Sequence, residues 1–154
     1  MAYQRILVPF DGSKHSKKAL DEAIGIAKLT GGTIYLCTVV SVSNVVPPGS
    51  LLGLVKSISK GELQRRLIKS AKQEAEKLEK AQISYCKSKG VKAYYKIIID
   101  GNTAEEILRV AKKTSVDLIV IGSQGLHGIS RIKSLGSVSR KVAEFSYCPV
   151  LIVR

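Results

Sequence analysis

The chain has 154 residues, 45% of them hydrophobic and 24% charged, with 25 Lys and Arg against 12 Asp and Glu. These proportions exclude a disordered chain and fit one globular domain over residues 1–154, large enough to bury roughly 68–70% of its unfolded surface without disulfides or a structural metal. The net charge of +13 favours anionic ligands or nucleic acid by long-range attraction and is silent about fold. The longest apolar stretches, such as Leu118–Ile121 and Val150–Val153, fall far short of the ~20 residues of a membrane-spanning helix. The opening M-A-Y-Q-R-I-L-V-P-F lacks the long apolar run and small-residue cleavage site of a secretory signal. A soluble, cytoplasmic protein with no membrane partner is expected. Cys37, Cys86 and Cys148 form no C-x-x-C pair and give neither a zinc framework nor an even disulfide set, so they read as small apolar fillers. A catalytic thiol would need a histidine partner, and nothing in the spacing pairs His15 or His127 with a cysteine.

In chain order, Arg5–Phe10 is a nearly continuous aliphatic run, as expected of a strand buried on both faces of a parallel sheet. Ser13 then stands where a helix N-cap belongs, ahead of the helically spaced stripe Ala19, Leu20, Ala23, Ile24 and Ala27, with Gly31-Gly32 as its stop. Thr33–Val40 is the second strand. Val42–Ser59, broken by Pro47-Pro48-Gly49, reads as a partly ordered connection, and its length suits a lid or an oligomer contact. A long charged helix is predicted over about Glu62–Lys89, with Leu63, Leu67, Ala71, Ala75, Leu78 and Ala81 or Gln82 on its apolar face and Gly90 as its stop. Residues 56–92 hold 11 Lys and Arg against four Glu, so this quarter of the chain carries +7 of the net charge. Its polar face reads first as a solvated surface with i,i+4 pairing; the alternative is a nucleic-acid stripe, but no aromatic residue interleaves the lysines before Tyr85. Val91–Ile99 is the third strand. Thr103-Ala104-Glu105-Glu106 has the T-x-x-E form of a capping box and opens a helix with Ala104, Ile107, Leu108 and Ala111 on one side. Asp117–Ile121 and Val150–Val153 supply the last two strands, the latter introduced by Pro149.

Strand and helix alternate throughout, which predicts an α/β fold: a single doubly wound domain with a five-stranded parallel sheet and helices on both faces. Ligands of such sheets sit at the carboxyl ends of the strands, where strand order reverses. At the end of the first strand stands Asp11, either a helix cap or a ligand-facing carboxylate. After the fourth strand comes G-S-Q-G-L-H-G-I-S-R-I-K-S-L-G-S-V-S, from Gly122 to Ser139. Its glycines let backbone amides approach an anion, its serines add donors, and the following helix presents its positive end, so the segment describes a phosphate cradle. His127, Arg131 and Lys133 are further cationic candidates, or plain exposed loop side chains. The sequence contains no G-x-x-x-x-G-K-[ST], no G-x-G-x-x-G after the first strand, and no H-E-x-x-H, G-x-S-x-G or EF-hand pattern.

The opening I-L-V-P-F-D-G-S, the G-S-Q-G at 122, the G-S-V-S at 136 and the closing C-P-V-L-I-V-R resemble the universal stress protein family in its nucleotide-binding branch, over essentially the full length. The resemblance implies a Rossmann-like, adenine nucleotide alpha hydrolase-like domain that dimerises through its last strand, Val150–Val153, and binds ATP, or ADP or AMP. Carried over by position, Pro9, Asp11 and Val39 would hold the adenosine part, Ile121, Gly122 and Gly125 would line the ribose and phosphates, and Gly136, Ser137, Val138 and Ser139 would close the phosphate site. Two departures stand out. Ten residues separate Gly125 from Gly136 where the family pattern has nine, and Gln124 occupies a position where histidine is common.

The leading expectation is a homodimeric, ATP-binding stress-response protein with little or no hydrolysis, in which nucleotide occupancy changes the loop at 122–139 and the surface offered to a signalling partner whose identity the residues leave open. An ATPase or nucleotidyl-transfer enzyme using Mg²⁺ or Mn²⁺ is the enzymatic alternative. A nucleic-acid module built on the Lys56–Lys92 helix is the third, and the less expected partner.

Overall fold

The computed structural model describes residues 3–41, 60–126 and 134–154; the 42–59 connection, His127, Arg131 and Lys133 lie outside the described residues. Among the described residues nine elements alternate: β1 (Arg5–Pro9), α1 (Lys14–Thr30), β2 (Thr33–Val40), α2 (Lys60–Ser88), β3 (Ala93–Ile99), α3 (Thr103–Thr114), β4 (Leu118–Gly122), α4 (Ser137–Phe145) and β5 (Val150–Val153). All strand pairs are parallel and the sheet order is β3-β2-β1-β4-β5. The chain therefore winds outward from β1 through β2 to β3, returns to the other flank of β1, and finishes at β5. The reversal of strand order falls between β1 and β4.

The period of two along each strand divides the core into two layers. Ile6, Val8, Ile34, Leu36, Leu118 and Val120 point to the face covered by α1 and the end of α2. Leu7, Cys37, Ile119 and Ile121 point to the face covered by α3 and α4. No helix among the described residues is long and apolar enough to cross a membrane. Cys37, Cys86 and Cys148 are free, and burial pushes the Cys37 and Cys86 thiols up to about 12 and about 11, which suits packing roles.

The local signals operate as chemistry requires, with four adjustments. Ser13 caps α1 by accepting from Ser16 N at 3.1 Å, and Gly31 closes that helix at φ 71°. Helix α3, however, is capped by Asn102, whose side chain accepts from Glu105 N at 3.2 Å, while Thr103 is already the first helical residue. The positive-φ pair Asp100 and Gly101 (φ 67° and 106°) turns the chain so that Asn102 is extended at the cap. β3 begins at Ala93 because Val91 N bonds Cys86 O and finishes the turn after α2. Asp117 precedes β4 and accepts from the amides of Gln4 and Arg5, closing the entry to β1. The buried stripe of α2 drifts as well: Ala81 is exposed, and the interior side runs through Ala75, Leu78, Glu79, Ile83 and Cys86.

Candidate functional site

The carboxyl ends of β1 and β4 meet at the reversal of strand order, where a doubly wound sheet opens a crevice. Asp11 stands on the β1 side. Phe10 N still bonds Cys37 O at 2.8 Å, extending the β1–β2 ladder one residue past the strand, so Asp11 leaves from a fixed point. One carboxylate oxygen accepts from Ser13 N at 2.9 Å and the other from Leu126 N at 3.2 Å, across 115 residues of sequence. The two readings of Asp11 are thus both partly realised. It steadies the start of α1, and it also ties β1 to the glycine turn after β4 while remaining exposed.

Glycine is required on the β4 side for close approach. A Cβ on Gly125 would sit 2.8 Å from Asp11 Oδ2, and one on Gly122 would sit 2.8 Å from the carbonyl carbon of His15. Gly136 lies against the same turn, its absent Cβ 3.3 Å from Ser123 O. The Ser123 carbonyl accepts from Gly136 N at 2.8 Å and from Ser139 Oγ at 2.9 Å, and Ser139 Oγ is also 3.0 Å from Gly136 O. Gln124 donates from Nε2 to Ser134 O at 3.1 Å. The residues flanking the ten-residue segment are therefore held together through Ser123, Gln124, Ser134 and Gly136.

Helix α4 starts on Gly136, which offers no side-chain cap, so no cap side chain satisfies its leading amides, which carry the positive end of the helix dipole. Ser137 is exposed, Val138 half-buried and Ser139 buried. Pro9 and Ile121 are buried at the ends of β1 and β4, and Val39 is half-buried one residue from the end of β2. The structure thus brings Asp11, Gly122, Gly125, Gly136 and Ser139 into one connected set, with Ser137 and Val138 on the adjoining helix turn. Pro9, Val39 and Ile121 stand near the strand ends beside that set.

Three contributors escape a reading by residue type. The Ser123 carbonyl and the Leu126 amide are main-chain groups and leave no mark in side-chain chemistry. Glu79 counted only as one charge in a charged helix, yet it is fully buried beside the β1–α1 loop. Its spacing four residues after Ala75 was the available signal.

Residues 2–154 match the Universal stress protein family. Universal stress protein YxiE of Bacillus subtilis is 39% identical over 157 residues, with 99% of each chain covered. Universal stress protein MJ0577 of Methanocaldococcus jannaschii is 32% identical over 160 residues, covering 99% of this chain and 95% of its own length. The solved structure of MJ0577 superposes with a TM-score of 0.82 over 99% of this chain and 96% of that one. A universal stress protein from Archaeoglobus fulgidus in complex with dAMP shares the fold at TM-score 0.65 and 20% identity, with both chains fully covered. By its family match and its relatives, this chain belongs to the universal stress protein family.

Proposed function

We propose that this protein binds an adenine nucleotide, ATP first among them, at the junction of β1, β4 and α4, and acts as a nucleotide-dependent stress-response protein. The observation that carries the reading is Asp11, an exposed carboxylate held by two backbone amides at the reversal of strand order, facing a glycine turn beside an uncapped helix start. A carboxylate there suits ribose hydroxyls or the adenine amine, and the α4 amides with Ser137 suit phosphate oxygens. The family relative solved with dAMP is a precedent for an adenine nucleotide on this fold. Around Asp11 the structure gathers main-chain amides and serine hydroxyls, with Ser139 Oγ bonded to main-chain carbonyls. Such groups bind and orient, so the reading is of a binding protein with slow turnover or none.

Acid release of nucleotide from the purified protein, quantified per chain, tests the site, followed by titration with ATP in the presence and absence of Mg²⁺. The expected result is near-stoichiometric adenine nucleotide or saturable ATP binding, weakened about tenfold or more in Asp11→Ala. Undiminished affinity in that variant overturns the site.

The reading includes a homodimer paired through β5. Among the described residues that strand has β4 on one side only, and Leu151 is exposed, so its outer edge offers backbone groups and apolar side chains for pairing. Sedimentation at micromolar concentration is expected to give twice the chain mass; a monomer refutes the pairing.

A further inference from the structure

Glu79 on α2 has no exposed surface. Its Oε1 is hydrogen-bonded to Thr38 Oγ1 on β2, and its Oε2 has no partner among the described residues. Thr38 Oγ1 also lies 2.6 Å from the carbonyl oxygen of Phe10, the residue before Asp11. The protons can be counted. A carbonyl only accepts, and a threonine hydroxyl has one proton to give. When Thr38 donates to Phe10, its bond to Glu79 exists only if Glu79 is the protonated acid and donates in turn. Once Glu79 ionises, the two bonds cannot both survive. Either Thr38 turns its proton to the carboxylate and strands the Phe10 carbonyl, or two oxygens face each other with no proton between them.

The surroundings favour the neutral acid. The titratable groups near Glu79 are the thiols of Cys37 on β2 and Cys86 on its own helix. Asp21 of α1 adds negative charge near Cys86 and accepts from the Tyr85 hydroxyl. Lys96 of β3 is in register with Cys37 and so shares the opposite face of the sheet from Thr38. Among the described residues no cation compensates the carboxylate, and burial pushes its acid up to about 7. The same turn of α2 touches the loop directly, since Leu78 Cδ2 lies 3.3 Å from the position a Cβ on Gly12 would take.

Resting on the nucleotide reading above, we infer that Glu79, Thr38 and the Phe10 carbonyl form a proton-dependent latch that positions the β1–α1 loop and thereby sets the affinity of the Asp11 site for nucleotide. Glu79 is a positioning residue in this scheme. It never touches the ligand, and it acts through the carbonyl from which Asp11 departs. The latch is closed with the proton on and released when the proton leaves.

Two measurements test it. In ligand-free protein followed by amide NMR, Phe10, Gly12 and Thr38 are expected to titrate together with one midpoint near neutrality. In Glu79→Gln, whose amide donates to Thr38 as the acid does, they are expected not to. Thr38→Val should uncouple the loop, so that the Glu79 carboxyl still titrates while the Phe10 amide does not follow. ATP affinity of the native protein, divided by that of Glu79→Gln at each pH to cancel the titration of the nucleotide's own phosphates, should fall up to about thirtyfold from pH 6 to pH 8.5, the latched fraction being all that changes. Loop amides that stay still, or that titrate equally in Glu79→Gln, overturn the latch, and a pH-independent affinity ratio overturns its link to the ligand. If neither protein binds ATP at any pH, the nucleotide reading has failed by itself, and the ligand-free titration decides the latch.

Discussion

Glu79→Gln is expected to stabilise the protein by roughly 3 kcal/mol at pH 8 and by no more than about 1 kcal/mol at pH 5. The reasoning runs through linkage. An exposed glutamate in the unfolded chain ionises near its ordinary value of 4.5, whereas burial holds the folded group protonated up to about 7. Between those values the folded state binds a proton that the unfolded state has released, so stability falls as pH rises through the window and levels off above it. The glutamine variant carries no such proton and escapes the decline. Urea unfolding of both proteins at the two pH values measures the difference. An equal effect at both, or a loss at pH 8, would show that the carboxyl is ionised without penalty inside the fold.

Gly122→Ala is expected to destabilise by about 2–4 kcal/mol, a large effect for the addition of one methyl group. The new Cβ would lie 2.8 Å from both the carbonyl carbon and the Cβ of His15, and 3.0 Å from the His15 oxygen. That neighbour is main chain in the first turn of α1, fixed by the Ser13 cap and by the Ser16 hydroxyl donating to Ser13 O at 3.0 Å. Nor can β4 retreat readily, since Gly122 is in register with Val153 and Ser123 N bonds Val153 O at 2.7 Å. Denaturant unfolding gives the magnitude. A change within 0.5 kcal/mol, the range of ordinary surface substitutions, would mean that α1 yields far more easily than its cap suggests.

The architecture was legible because buried parallel strands need unbroken apolar runs, and Thr33–Val40 and Val150–Val153 occupy the residues their runs predict. Other boundaries moved where a side chain had a second use. Asp117 continues an apolar run in letters, yet its carboxylate is engaged by two amides at the start of β1. Asn102 and Thr103 are adjacent candidate caps with acidic residues at the matching offsets, and only the backbone turn at Asp100-Gly101 selects the first. Within the site, the carboxylate and the glycines announced themselves by type and order. The clamp through Ser123 O did not, because every residue carries a carbonyl and its use depends on tertiary placement. Glu79 was hidden for the opposite reason: its letter signals solvent, and its neighbours on the helix drew it inside.

The two margins of the sheet bear on how far an assembly of this chain can grow. An exposed lysine, Lys92, precedes β3, and another, Lys96, stands in its middle between Tyr95 and Ile97. Along β5 no charge appears before Arg154. Joining the β5 margin of one copy to the β3 margin of the next would repeat indefinitely and yield an open-ended ribbon. Cations seated on the β3 margin oppose that joint, because an incoming apolar strand would have to desolvate them. In the β5 pairing proposed above, the contact is its own complement and closes after two copies. With that pairing, the lysines of β3 would act as a stop against fibre formation, set at the opposite edge of the sheet from β5.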